Sequence, residues 1–236
     1  MVRLAVATAI VATVGFASTQ DAVARAVPAT PAAASTTAAA SSAFDAGAWG
    51  DSAGDINPKI LSLALEAAAS AVQRGSVRAP STLSVIDFSR PSTSRRMWVY
   101  DLRSHALLFE DFVSHGRGSG RTLATKFSNQ PGSYESSLGL FRTGDAYLGK
   151  NGYSLRLDGL EPGINDRARE RAIVMHGAPY VNPTAAQVNG YLGRSEGCPA
   201  VRPEIARAII DAVKGGGLLF AYYPDPQWLT TSTFLN

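Results

Sequence analysis

The sequence of 236 residues contains only one cysteine and three histidines, the residue types that build cross-links and many metal sites. A single cysteine excludes an intramolecular disulfide framework and any cysteine-rich zinc fold, and three scattered histidines give no support to a metal site. The net charge of +3 is too small to indicate nucleic-acid binding. With 45% hydrophobic residues the chain has ordinary apolar content, so composition leaves a globular enzyme or a binding module.

Residues 1–24 are predicted to be a secretory signal peptide. Arg3 precedes an uncharged run of small and apolar residues, Leu4–Ala17, and Ala22–Ala24 offers an A-x-A cleavage site. The apolar run is shorter than the roughly 20 residues that span a bilayer, and no later stretch is long enough. The sequence therefore predicts an exported protein, in the periplasm or cell envelope, without a membrane span after cleavage.

The mature chain is predicted to have two parts. Residues 25–54 are rich in Ala, Ser, Thr and Pro with few large side chains, which predicts a disordered tether. Residues 55–236, about 180 in number, have the size of one domain. Apolar residues at helical spacing predict a helix from Asn57-Pro58 to about Gly75 and a second over Pro203–Lys214.

The remaining apolar patterns favour strands. They are predicted at 83–88, 97–100, 107–113, 138–141, 153–157, 171–175 and 218–223. Strands and helices do not alternate regularly, and long stretches rich in Gly, Ser and Asn join the central strands. The sequence therefore predicts a mainly β fold with a few helices.

Two glycine-rich motifs resemble known sites but fail on their context. Gly193–Gly197 matches the G-x-S-x-G elbow of serine hydrolases, but no histidine follows Ser195, and the elbow requires one further along the chain. Gly116–Gly120 lacks the Lys-Ser/Thr pair of a phosphate-binding loop. His105 and His115 lie at a predicted turn and a strand end, where we expect solvent exposure.

A third motif has the chemistry of a cysteine nucleophile. His176 ends a predicted strand, and Cys198 follows 22 residues later, a spacing that can return the chain beside the histidine. A thiol of ordinary pKa is only about 3% ionised at pH 7, so an imidazole must take its proton during attack or hold a thiolate–imidazolium pair. The N–H groups of Gly197 and Cys198 are candidates for an oxyanion hole. The alternative is a small buried apolar cysteine, although Gly197 and Pro199 favour a loop.

At these residues the chain resembles the YkuD-type murein L,D-transpeptidase catalytic domain, whose signature is His-Gly followed by Ser/Thr-His-Gly-Cys. A divergent branch with Ser-Glu-Gly-Cys-Pro is closer still. Its members are similar to this chain at Ser133–Gly139, Gly159–Asp166 and Gly193–Ala200, so the resemblance covers most of residues 80–225. It implies a mainly β fold, a two-sheet sandwich or barrel, with the cysteine in a loop.

The resemblance also implies a role for each matching residue. Cys198 would be the nucleophile and His176 its base, and the carbonyl of Gly177 would orient the imidazole. Ser195 and Gly197 would shape the site, and the amides of Gly197 and Cys198 would hold the oxyanion. The implied substrate is a peptidoglycan stem tetrapeptide, from which terminal D-Ala is released while the acyl group passes to an amine or to water. No cofactor or metal is implied.

Two positions depart from the usual pattern of this family. Glu196 stands where a second histidine is usual, and Ala200 replaces the arginine often found two residues after the cysteine. We expect Arg194 or Arg202 to supply the positive charge for a stem carboxylate instead. Because Glu196 removes one imidazole, a non-catalytic peptidoglycan-binding protein on the same fold is the alternative function.

Overall fold

The computed structural model describes residues 43–236. The predicted signal peptide and most of the predicted tether lie outside these residues. Where the tether is described, it packs earlier than expected: short 3-10 turns at Ala46–Ala48 and Gly50–Ala53 flank the buried side chain of Trp49. The Trp49 ring lies 5.0 Å from that of Tyr100, whose hydroxyl donates to the carbonyl of Ala53 at 2.7 Å. The predicted boundary at residue 54 is therefore too late, because one tryptophan buries enough surface to order the preceding segment.

Eight strands form one sheet with the order β3-β2-β1-β8-β4-β5-β6-β7. They are β1 Thr82–Asp87, β2 Met97–Asp101, β3 Ala106–Asp111, β4 Gly139–Gly149, β5 Gly152–Gly159, β6 Val174–Gly177, β7 Ala200–Val201 and β8 Leu218–Tyr222. The pairs β1–β8 and β6–β7 are parallel, and the other five pairs are antiparallel. The predicted mainly β fold is confirmed. Instead of two separate sheets there is one, because β8 pairs with both β1 and β4 and joins the two halves.

Within the residues that the structure describes, the helices are few, as predicted. They are α1 Pro58–Gln73, α2 Pro183–Asn189, α3 Pro203–Val213 and α4 Pro226–Thr231. Each begins with proline, which suits the first helical position because its missing N–H has no partner there. The predictions for α1 and α3 are confirmed to within about two residues, whereas α2 and α4 are too short for a periodic apolar pattern. Within residues 43–236, no helix has the length and apolar composition that a membrane span requires.

The strand predicted at 171–175 starts late. Residues 171 and 172 belong to a turn in which Ala172 has a φ of +53° and the amide of Ile173 bonds to the carbonyl of Ala168. Strand β6 begins only at Val174. The error matters for the site because Arg171 projects from a turn and not from a buried strand.

Strand β7 and the loop before it are held by strand β6 and by the segment 114–116. Strand β6 pairs with β7 on one side, and α3 packs on β6. A Cβ atom at Gly177 would lie 2.8 Å from the Cβ of Ala206 in α3, so glycine permits this close approach. The amide of Ser114 donates to the carbonyl of Ala200, and the carbonyl of His115 accepts from the amide of Ser195. The segment 114–116 thus holds both ends of the loop that contains Cys198.

His115 is fully buried, contrary to the expected solvent exposure. Nη2 of the buried Arg96 donates to its Nδ1 at 2.8 Å, and its Nε2 lies 3.3 Å from the carbonyl oxygen of Gly120. Burial and the adjacent charge of Arg96 lower the pKa of His115 to about 3. The neutral imidazole therefore has a structural role, fixing the segment 114–116. His105 is half-buried, with its ring centroid 4.9 Å from that of Trp49.

Candidate active site

The parallel pair β6–β7 brings the predicted cysteine and histidine to one edge of the sheet. His176 is opposite Ala200 in this parallel pair. Two residues earlier on each segment, Cys198 therefore lies beside Val174. The Val174 amide N lies 3.5 Å from the cysteine Sγ, and Sγ lies 3.8 Å from the carbonyl oxygen of Ala172. The 22-residue connection therefore returns the chain alongside β6, as its length suggested.

Cys198 and His176 line one open cleft with a volume of about 480 Å³. A volume of this order accommodates a peptide-sized ligand. Both residues are largely covered, with exposed fractions of 8% and 5%, so a substrate must reach the floor of the cleft to meet the thiol. The charged side chains that line the cleft are Arg117, Lys150, Arg171, Arg194 and Glu196. The cleft is therefore predominantly cationic and suits an anionic ligand.

The imidazole of His176 is oriented by its neighbour in β6. Its Nδ1 lies 3.1 Å from the carbonyl oxygen of Gly177, so Nδ1 carries the proton and donates it, leaving the Nε2 lone pair as the acceptor. Burial lowers the pKa of His176, and the bond to Gly177 offsets part of that effect. The ring is therefore neutral at pH 7, the state in which it can act as a base.

The thiol of Cys198 is also neutral in the unliganded site. Burial raises its pKa above the usual range, which the Val174 amide and the charge of Arg171 partly counteract, while Glu196 adds to the rise. Both shifts oppose a resting thiolate–imidazolium pair. Of the two arrangements that the sequence left open, the structure therefore favours a neutral thiol that gives up its proton during attack.

Ser195 organises the loop around the thiol. Its hydroxyl donates to the carbonyl of Cys198 at 2.6 Å and accepts from the amide of Gly197 at 3.1 Å. The amide of Cys198 faces its own sulfur. Because the Gly197 amide is bound to the Ser195 oxygen, the predicted pair of oxyanion donors is not free in this structure, and a rotation of the serine side chain about χ1 would release the amide.

The two arginines predicted to bind a carboxylate lie in different places. Arg194 lines the cleft, and its Nη1 donates to the carbonyl of Gly120 at 3.0 Å. Arg202 does not line it: its Nε and Nη2 bind the buried carboxylate of Asp111, with Nε 2.8 Å from Oδ1, and it borders a second cavity beside Pro203. This arrangement does not favour Arg202 as a ligand of a substrate carboxylate, because its charge is paired with the last residue of β3.

Three further charged groups of the cleft, Arg117, Lys150 and Arg171, escaped the sequence analysis. Arg171, expected in a buried strand, lines the cleft from a turn. The available signal in the sequence was a single charge directly before an apolar run. Arg117 lies with its guanidinium 3.9 Å from the ring centroid of Tyr134 and forms an ion pair with Glu196 at 3.5 Å. Glu196 is 72% exposed, so this pair sits at the mouth of the cleft and not beside the thiol.

A family model described as the L,D-transpeptidase catalytic domain matches residues 52–222. Solved structures of similar proteins include an L,D-transpeptidase from Mycobacterium smegmatis, 15% identical, covering 61% of this chain and 59% of that chain with a TM-score of 0.37. Another, from Mycobacterium tuberculosis H37Rv, has the same identity and coverage and a TM-score of 0.39. The L,D-transpeptidase from Xylanimonas cellulosilytica DSM 15894 is 16% identical, covering 68% and 77% of the two chains with a TM-score of 0.34.

The chain thus spans about three fifths of the length of the two mycobacterial proteins. No curated protein matches it. The family model spans well over half of the chain and includes every residue that lines the cleft. The chain belongs to the L,D-transpeptidase catalytic domain family.

Proposed function

We propose that this protein is an exported cysteine L,D-transpeptidase that acts on peptidoglycan stem peptides. The proposal rests on one observation: a buried thiol, Cys198, and a neutral, oriented imidazole, His176, line the same cationic cleft. This pair lies within the segment matched by the family model. Export rests on the predicted signal peptide, residues 1–24, and stays a prediction.

The first half-reaction transfers the acyl group to the enzyme. The Cys198 sulfur attacks the carbonyl of the L-centre of diaminopimelate in the donor tetrapeptide, and its proton passes to Nε2 of His176. The tetrahedral intermediate expels the terminal D-Ala, whose amine takes that proton from the imidazolium. A thioester remains on Cys198, and His176 is neutral again.

The second half-reaction releases the acyl group. An amine of a neighbouring stem, or water, attacks the thioester carbonyl and gives a proton to His176. The sulfur leaves, and the imidazolium returns the proton to it. An amine acceptor yields a cross-link, and water yields a shortened stem, so the two products distinguish transpeptidation from carboxypeptidase activity.

The alternative function is a peptidoglycan-binding protein without catalysis. Two observations favour it: the thiol of Cys198 is nearly covered, and burial raises its pKa. A buried cysteine of raised pKa reacts slowly unless a base assists it. The two functions therefore differ in whether bound peptide is chemically changed.

Mass spectrometry of the mature chain, residues 25–236, incubated with purified disaccharide-tetrapeptide tests the proposal. We expect loss of D-Ala together with cross-linked dimers or a shortened monomer, and no change with the Cys198→Ser variant. A muropeptide that is bound but left intact by the unmodified chain would instead establish the binding function.

A prediction about substrate binding separates the two arginines that the sequence proposed. Arg194→Gln should raise the KM for the tetrapeptide about tenfold, the loss expected for one charge-assisted contact. Arg202→Gln should leave KM unchanged but cost about 2 kcal/mol of stability, because Asp111 stays buried without its cation. Steady-state kinetics and urea unfolding measure both. A KM for Arg194→Gln equal to that of the unmodified protein would exclude Arg194 as a substrate ligand.

A further inference from the structure

The Arg171 side chain runs from the turn before β6 to the segment Ser128–Ser137. Its Nη1 donates to the carbonyl of Ser128 at 2.5 Å and to the hydroxyl of Ser137 at 2.6 Å. Its Nη2 donates to the carbonyl of Glu135 at 2.6 Å and to the hydroxyl of Ser133 at 3.2 Å. Four hydrogen bonds from one guanidinium therefore hold this segment in place, and all four acceptors are uncharged.

The segment held by Arg171 packs against the residue before the nucleophile. A Cβ atom at Gly197 would lie 2.8 Å from the carbonyl oxygen of Glu135 and 3.4 Å from Nη2 of Arg171. The hydroxyl of Ser136 donates to the carbonyl of Gly197 at 3.1 Å. The backbone of the cysteine loop thus rests on the arginine and on the segment that the arginine holds.

Charged and titratable groups approach Cys198 from several elements. Arg171 comes from the turn before β6, His176 from β6, Tyr180 from the connection to α2, and Glu196 from the cysteine loop. Arg117, Lys150 and Arg194 line the remaining walls of the cleft. The charges of Arg171 and Glu196 act on the thiol in opposite directions, since Arg171 lowers the pKa of Cys198 and Glu196 raises it.

The two charges differ in how far they are neutralised. Glu196 is exposed and paired with Arg117. Arg171 is half-buried, and within residues 43–236 it forms no ion pair with a carboxylate, although burial lowers its pKa and the more distant charge of Glu135 acts to raise it. A partly desolvated cation with uncharged partners keeps its field, which is stronger than at a fully hydrated surface.

We propose that Arg171 is a positioning residue of the Cys198 site: it fixes the segment that supports the cysteine loop, and it holds a positive charge close to Gly197, the residue before the nucleophile. The inference rests on the proposed function, because it concerns the nucleophile of that reaction. Negative charge develops on sulfur when its proton leaves and again when the acyl group is released. A fixed cation nearby lowers the free energy of both steps.

The rate of Cys198 alkylation by iodoacetamide between pH 6 and 10.5, followed by intact mass, tests the proposal. The thiolate attacks the methylene carbon, a sulfur–carbon bond forms and iodide leaves, so the rate follows the thiolate fraction. Removing a cation disfavours the thiolate and raises the thiol pKa. We expect Arg171→Gln to raise that pKa by about one unit and to slow alkylation at pH 7 about tenfold.

Two further variants separate the charge from the hydrogen bonds and from net charge. Arg171→Lys keeps the positive charge but loses the hydrogen bonds of the planar guanidinium. The pKa of Cys198 in this variant should stay near that of the unmodified protein, while the melting temperature falls. Arg167→Gln makes the same change in net charge at an exposed residue paired with Glu170, and it should leave the alkylation profile unchanged.

An unchanged thiol pKa in Arg171→Gln, or an equal rise in Arg167→Gln, would overturn the proposal. If Arg171→Gln does not fold, Arg171→Lys decides, and a rise of a full unit there refutes the role of the charge. Alkylation needs no peptidoglycan substrate, so its result stands even if the tetrapeptide assay shows no transpeptidation.

Discussion

His176→Asn is expected to lower kcat/KM for D-Ala release at least a thousandfold at pH 7 while leaving the fold intact. The asparagine amide can still donate to the carbonyl of Gly177, as Nδ1 of the imidazole does at 3.1 Å, so the backbone keeps its partner. What is lost is the base that takes the proton, and general bases typically contribute about 10²- to 10⁴-fold. The loss lies toward the upper end because burial raises the pKa of Cys198 and leaves little thiolate.

The pH dependence of the activity of His176→Asn tests whether His176 is the base. Without a base, attack requires the thiolate, whose fraction grows as pH rises toward the elevated pKa of Cys198. The activity of His176→Asn should therefore climb about tenfold per pH unit above neutrality, a slope that the unmodified enzyme lacks. His105→Asn, a histidine beside Trp49 and outside the cleft, serves as the matched control and should keep full activity. Retention of a tenth of the activity by His176→Asn at pH 7 would assign the base to another group.

The pair Cys198–His176 was predictable because its geometry follows from local features. A glycine after His176 and an irregular Gly-Cys-Pro loop lie on either side of a connection long enough to return the chain to a parallel neighbour. The helices α1 and α3 were equally accessible, since Pro58 and Pro203 mark their first residues and apolar periodicity their lengths. These signals act within a few residues, so a single sequence contains them in full.

The groups that the sequence missed depend on contacts between distant segments. Arg202 and Asp111 are 91 positions apart, and only the fold shows that one neutralises the other. The burial of His115 likewise depends on tertiary packing. Arg171 was assigned to a strand because an apolar run follows it, whereas the positive φ of Ala172 turns the chain there. The hydrogen bond from the Gly197 amide to the Ser195 oxygen depends on the side-chain rotamer of the serine, and no residue pattern predicts that rotamer.

Gly197→Ala is expected to cost about 2–6 kcal/mol of stability and to lower kcat/KM at least a hundredfold. The φ of Gly197 is +123°, a conformation that residues with side chains rarely adopt. The added methyl group would lie 2.8 Å from the carbonyl oxygen of Glu135 and 2.9 Å from Cδ1 of Ile173. Strain and overpacking each contribute about 1–3 kcal/mol. The loop must shift to relieve them, and a displacement of about 1 Å at the nucleophile costs roughly a hundredfold in rate.

The matched control is Gly190→Ala, at the end of α2. Gly190 also has a positive φ, +75°, but a Cβ atom added there would meet no atom within 4 Å, so this variant carries conformational strain without overpacking. We expect it to lose about 1–2 kcal/mol and to keep its activity. Urea unfolding and the rate of D-Ala release measure both variants. If Gly197→Ala loses no more activity than Gly190→Ala, the cysteine loop tolerates movement, and the support that Arg171 and Glu135 give to Gly197 does not set the position of the thiol.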